Sequence, residues 1–151
     1  MARLALIFLA AFLAAGSVSA AEGKVVKVLP HLLDQAGRHS LSPSLFEHDA
    51  YQAELRKHPE KVGGLRYDVR WKARGADRTK LKLRLQLRTA NRAAAEPLVL
   101  EAPVQARFGS GGWAAVTLEA DAYRAAGNVQ AWRATLLEGD TELAEQKSFL
   151  W

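Results

Sequence analysis

The chain has 151 residues, with 21 Lys and Arg against 16 Asp and Glu for a formal charge of +5, and 49% of its residues are apolar. That apolar fraction is ordinary for a folded domain and too high for a disordered tail, and the length holds one domain and hardly two. The complete absence of Cys excludes disulfides, Cys-ligated zinc, iron–sulfur clusters, covalent c-type haem and a Cys nucleophile together.

Residues 1–20 read as a secretory signal. Arg3 supplies a minimal positive start, residues 4–15 are an unbroken apolar run, and Val18, Ser19 and Ala20 end it in small residues. As a helix that run spans about 18 Å, short of the roughly 30 Å hydrocarbon core, so cleavage after Ala20 is expected rather than a retained anchor. No integral membrane segment is then left, and the mature protein, residues 21–151, is expected as one domain in the periplasm or outside the cell.

A first short strand is predicted over 24–28. From 29 to 64 the alternation stops, and this stretch reads as a non-β insertion. Asp34, Gln35, Ala36 and Gly37 suit a turn, and Asp49 is placed to cap a short helix over 50–57 that Pro59 stops. Ser42, Pro43 and Ser44, followed by Glu47, have the chemistry of a helix entry.

Two strongly patterned strands follow. Leu65, Tyr67, Val69, Trp71 and Ala73 alternate with Arg66, Asp68, Arg70 and Lys72. Leu81, Leu83, Leu85 and Leu87 then alternate with Lys80, Lys82, Arg84, Gln86 and Arg88, putting leucines on one face and cations on the other. Further strands are expected over 98–104, 113–118, 128–137 and 142–150, separated by Pro97, Pro103, Gly109 to Gly112, Gly127 and Gly139. Seven strands of this kind define an all-β fold, a two-sheet sandwich of immunoglobulin or fibronectin III type with a short helical insertion. The core candidates are Tyr67, Trp71, Trp113, Trp132 and the leucines 81 to 87.

The stretch KVLPHLLDQAGRHSLSPSLFEHDAY at 27–51, GLRYDVRWKA at 64–73, and the closing AWRATL and KSFLW resemble a family of uncharacterised exported bacterial proteins with an immunoglobulin-like β-sandwich. The resemblance implies export and one compact domain, and it carries across no catalytic or binding residue.

Three features are candidates for function. His31, His39, His48 and His58 all lie in the insertion beside Asp34, Glu47 and Asp49. Imidazole and carboxylate together can ligate a metal or move protons. Their gaps of eight, nine and ten residues match neither helical nor strand ligand pairs, so they read as surface and turn histidines, with no metal or cofactor expected. Convergence of these rings in space would instead favour a small hydrolase or metal-dependent enzyme. Ser40, Ser42 and Ser44 lie nearby, but no G-x-S-x-G elbow accompanies them.

The third feature is charge. Between positions 66 and 92 ten Lys or Arg face only Asp68 and Asp77, while acids gather near the end at Glu138, Asp140, Glu142 and Glu145. Lys80, Lys82 and Arg84, spaced at about 6.6–7 Å, and Arg88, two such intervals beyond Arg84, form a candidate ligand-binding row for an anionic glycan or lipid. The competing reading pairs the row with Glu142 and Glu145 across the sheet. A nucleic-acid partner is not expected, because no outward aromatics interleave with these cations. The expected function is a non-enzymatic binding or accessory module with an anionic envelope ligand or a protein partner. A small outer-membrane β-barrel is the remaining alternative, since the strands alternate and the chain closes on Phe149, Leu150 and Trp151; that barrel would need eight strands of about ten residues. Trp151 is expected to dock the last sandwich strand.

Overall fold

The computed structural model describes residues 20–93, 96–105 and 109–151; the expected signal segment lies outside them apart from Ala20. Seven strands form: β1 (Glu22–Asp34), β2 (Val62–Arg74), β3 (Leu81–Thr89), β4 (Leu98–Pro103), β5 (Gly111–Glu119), β6 (Val129–Glu138) and β7 (Thr141–Lys147). They divide into two antiparallel sheets, β1-β2-β5 and β4-β3-β6-β7. Among the described residues no helix is long and apolar enough to cross a membrane.

The two patterned strands behave as their alternation requires. Leu83, Leu85 and Leu87 of β3 and Val69 of β2 are fully buried, with Trp71 and Tyr67 almost so. Leu83 and Leu85 lie opposite Leu136 and Ala134 of β6, and the inward faces of both sheets join in one core. At one margin β1 runs so close to β7 that a Cβ on Gly23 would come within 2.6 Å of Leu143 Cβ.

Trp113 departs from expectation. In β5 the inward positions are Ala114, Val116 and Leu118, so Trp113 falls on the outer face, 51% exposed, beside Arg70 of β2. The alternation was legible, but the small Ala114 rather than the large Trp113 sets its phase. Trp132 is half-buried against the core.

The boundaries of the insertion also change. β1 does not stop near position 28; it pairs with β2 as far as Asp34, through register shifts near Val25 and Lys27 and beyond Leu33. A bulge moves every following side chain to the other face, so a strict two-residue count loses the strand there. The non-β segment is therefore 35–61 rather than 29–64. Its helix α1 (Leu45–Lys57) begins a turn earlier than expected, with Ser44 rather than Asp49 at its N-cap. A second helix, α2 (Ala120–Ala126), connects β5 to β6 and was not anticipated. Gly127, at φ 75°, ends it, and its amide donates to the Tyr123 carbonyl at 2.9 Å.

Trp151 does not extend β7, which ends at Lys147. The chain turns through Ser148, and the indole lies 4.4 Å beneath the Arg88 guanidinium on the outer face of β3.

Candidate functional site

Lys82, Arg84 and Arg88 stand where the alternation put them, on the outer face of β3, whereas Lys80 falls in a short helical turn (Arg78–Lys80) before the strand begins; every member has a neighbour. Glu101 of β4 lies 2.6 Å from Arg84 Nε and 3.3 Å from Lys82 Nζ; Asp140 is 3.9 Å from Lys82 and Asp77 is 3.3 Å from Lys80. Arg88 rests on Trp151. The expected partners Glu142 and Glu145 do not reach the row. They sit on β7, which borders β6 rather than β3, and both contact Arg133 of β6, at 3.3 and 2.6 Å. Glu101 of β4 thus borders the cations of β3 on one side, and Glu142 and Glu145 of β7 border Arg133 of β6 on the other.

Three of the four histidines converge, contrary to their reading as dispersed surface and turn residues, and this convergence is the arrangement that favours metal chemistry in the insertion. Because β1 continues to Asp34 before reversing, His31 on that strand and His39 beyond the turn become neighbours, and α1 brings His48 over both. The ring centroids are 5.0, 5.2 and 5.6 Å apart. His31 lies opposite Arg66 of β2 in the ladder, with its Nε2 3.4 Å from Asp68 Oδ2 and its Nδ1 3.2 Å from His48 Nε2. His48 Nδ1 is 3.0 Å from Asp49 Oδ1. Arg66 Nη2 donates to Asp68 at 2.9 Å and to His39 Nδ1 at 3.3 Å. His58 stands apart, between Glu54 and Glu60.

Burial holds His31 below the ordinary imidazole pKa against the opposing pull of Asp68, and the neighbouring histidines and Arg66 add to the lowering. His39 is lowered by burial and by Arg66, again against Asp68. Both rings are therefore biased toward the neutral form, which has a free lone pair.

The anchoring of this cluster lies in residues that periodicity did not single out. Gln52, on the buried side of α1, accepts from the Leu32 amide at 2.8 Å and donates to the carbonyls of Leu32 and His39 at 2.9 and 2.8 Å. Asp34 closes the turn, accepting from the Ala36 and Arg38 amides at 2.9 Å, from Arg38 Nε at 2.9 Å and from the Tyr51 hydroxyl at 2.7 Å. Burial works to raise the Asp34 carboxyl, but these four donors outweigh it and hold its pKa at about 2. Gly63 permits the turn to close against β2, since any Cβ there would strike the Asp34 carbonyl.

The serines are spent on local turns. Ser40 Oγ donates to the Ser42 carbonyl at 2.5 Å, and the Ser42 and Ser44 amides donate to the hydroxyls of Ser40 and Ser42. Among the described residues no hydrogen bond joins one of these hydroxyls to a histidine.

On the other side of α1 a cleft of about 640 Å³ opens between the sheets. Leu55, Leu65, Tyr67 and Trp132 form its walls, and Arg56 and Gln130 stand at its mouth. Tyr67 and Trp132 come from opposite sheets and meet edge to face, centroids 6.5 Å apart. Burial raises the Tyr67 hydroxyl pKa above its usual range. Among the described residues that hydroxyl makes no hydrogen bond, and Arg56 has no ion-pair partner. No protein-family model matches the chain, and no curated protein or solved structure matches it either.

Proposed function

We propose that the protein is an exported, non-enzymatic binding module on an immunoglobulin or fibronectin III-type sandwich, and that its ligand is an anionic amphiphile of the cell envelope held in the cleft beside α1. The carrying observation is the cleft itself: apolar walls, a hydroxyl at Tyr67 and a cation at the mouth, Arg56, neither of which has a polar side-chain partner among the described residues. Its volume lies within the roughly 300–1,000 Å³ of small-molecule sites. An acyl chain or ring would lie against Leu32, Val129 and Trp132, the partly exposed apolar lining, while an acidic head meets Arg56. The strand order supports the sandwich type, because β1-β2-β5 and β3-β6-β7 match the A-B-E and C-F-G groupings of immunoglobulin-like domains, with β4 on the edge of the second sheet instead of the first. The signal-like start of the chain supports export.

The basic row of β3 is a second place for anions. A ligand there would have to compete with Glu101 for Lys82 and Arg84, whereas Arg56 offers its charge without competition. The test is a fluorescent fatty acid titrated against its uncharged alcohol counterpart. Saturable binding that prefers the acid, loses that preference in Arg56→Gln and is abolished by Val129→Trp, which fills the cleft, is the expected outcome. Absence of saturable binding to either probe overturns the cleft reading.

A further inference from the structure

We propose that His31 and His48 form a site for one divalent transition-metal ion of the borderline class, such as copper(II) or zinc(II), seated between His31 Nδ1 and His48 Nε2. The site is separate from the cleft and does not depend on the amphiphile reading.

The geometry begins with the outer nitrogens. His31 Nε2 faces the Asp68 carboxylate at 3.4 Å and His48 Nδ1 faces the Asp49 carboxylate at 3.0 Å. An ionised carboxylate only accepts, so His48 Nδ1 donates in its hydrogen bond to Asp49, whereas Asp68, which accepts from Arg66, faces His31 Nε2 as a charge contact. The remaining nitrogens, His31 Nδ1 and His48 Nε2, lie 3.2 Å apart and are hydrogen-bonded to each other through one ring proton. A metal ion that displaces this shared proton takes a lone pair from each ring. Two nitrogens held about 2.0–2.1 Å from one tetrahedral ion lie roughly 3.3–3.4 Å apart, close to the separation already present. A carboxylate behind each ligating imidazole is also the arrangement that fixes tautomer and orientation at metal centres.

The surroundings fit an ion with open positions. His39 closes one side of the site, but its Nδ1 is turned to Arg66, and among the described residues no three His, Asp or Glu side chains converge on one ion. Two imidazoles therefore supply the protein's ligands and water supplies the rest. The His31 and His48 side chains are 12% and 20% exposed, so the pair is shielded but reachable. Imidazole ligation selects copper, nickel and zinc and gives calcium and magnesium no advantage, with copper the tightest.

Calorimetric titration of the purified protein at pH 7.5 with copper(II), zinc(II) and calcium tests the site. The expected result is one equivalent of copper bound more tightly than zinc, no calcium uptake, and imidazole nitrogen coupling in the copper EPR spectrum. His48→Ala, in the first turn of α1 on the face that carries Gln52, should weaken copper binding by about tenfold or more and remove that coupling, while His58→Ala leaves both unchanged. His48→Ala retains the buried Gln52 and Leu55 contacts of α1, and its circular dichroism should match that of the parent protein. No saturable copper or zinc binding, or equal losses in His48→Ala and His58→Ala, overturns the proposal; a pair that merely shares a proton gives the first of these results.

Discussion

The outer face of β3 and the segment between β1 and β2 both collect ionisable side chains, and they do so in opposite ways. On β3 the charges follow a strict two-residue period, and their neighbours on β4 and in the flanking turns neutralise most of them. In the insertion the histidines have no period at all, yet three of them meet, because a bulged strand, a tight turn and a helix return the chain to one place. Periodicity reports which face of one element a side chain occupies. It carries no information about which elements meet, and that is where a site is made.

The sharpest way to break the comparison is at the core side of β3. Leu83 is fully buried, so Leu83→Ala is expected to cost about 2–5 kcal/mol in denaturant unfolding, through lost burial and the cavity left behind. Arg84→Ala, one residue on and paired with Glu101 at a partly exposed site, should cost no more than about 1 kcal/mol. Equal losses would mean the phase of β3 is wrong.

The turn of the insertion should respond to acid. With its folded pKa at about 2 against an ordinary 3.8, Asp34 binds protons less readily in the folded chain. Its stabilisation is therefore fully present above about pH 4 and is lost as pH falls towards 2. Asp34→Asn is expected to cost about 1–2 kcal/mol near neutral pH and to flatten the stability profile across that window. A profile identical to that of the parent protein would show that the four donors do not hold the carboxylate.

The smallest effect is expected from the basic row. Changing Lys80, Lys82, Arg84 and Arg88 together to Gln should alter stability by about 1 kcal/mol or less, because each contact is partly solvated. If the row captures polyanions, the same variant should also lose retention on heparin, and the parent's retention should fall steeply with salt. Unchanged retention would leave ion pairing with Glu101, Asp77 and Asp140 as the row's whole role.

Much of the fold was legible because β2 and β3 alternate without interruption, and their small and large residues agree with their neighbours. All seven expected strands form, whereas the end of β1 was hidden by its register shifts and the phase of β5 was misread through Trp113. The site was less legible. His31, His39 and His48 were singled out by residue type, but nothing in their spacing showed that they meet. Arg66 and Asp68 were read as the polar half of an alternation and as members of a charged stretch, and Gln52, the residue that ties α1 to β1, only as a helix-entry position three residues beyond Asp49.

That tie has a consequence for how the molecule behaves among its own copies. β1 forms an outer border of its sheet, the kind of exposed ladder on which a second chain can template itself. In an antiparallel ladder alternate residues point their amide and carbonyl outward, and Leu32, whose outward groups are both held by Gln52, shares its direction with Pro30. Pro30 has no amide hydrogen to offer. One outward donor is thus missing by chemistry and the next is occupied by a side-chain amide standing in for a neighbouring strand. The helix that positions His48 also seals this border against strand-by-strand growth.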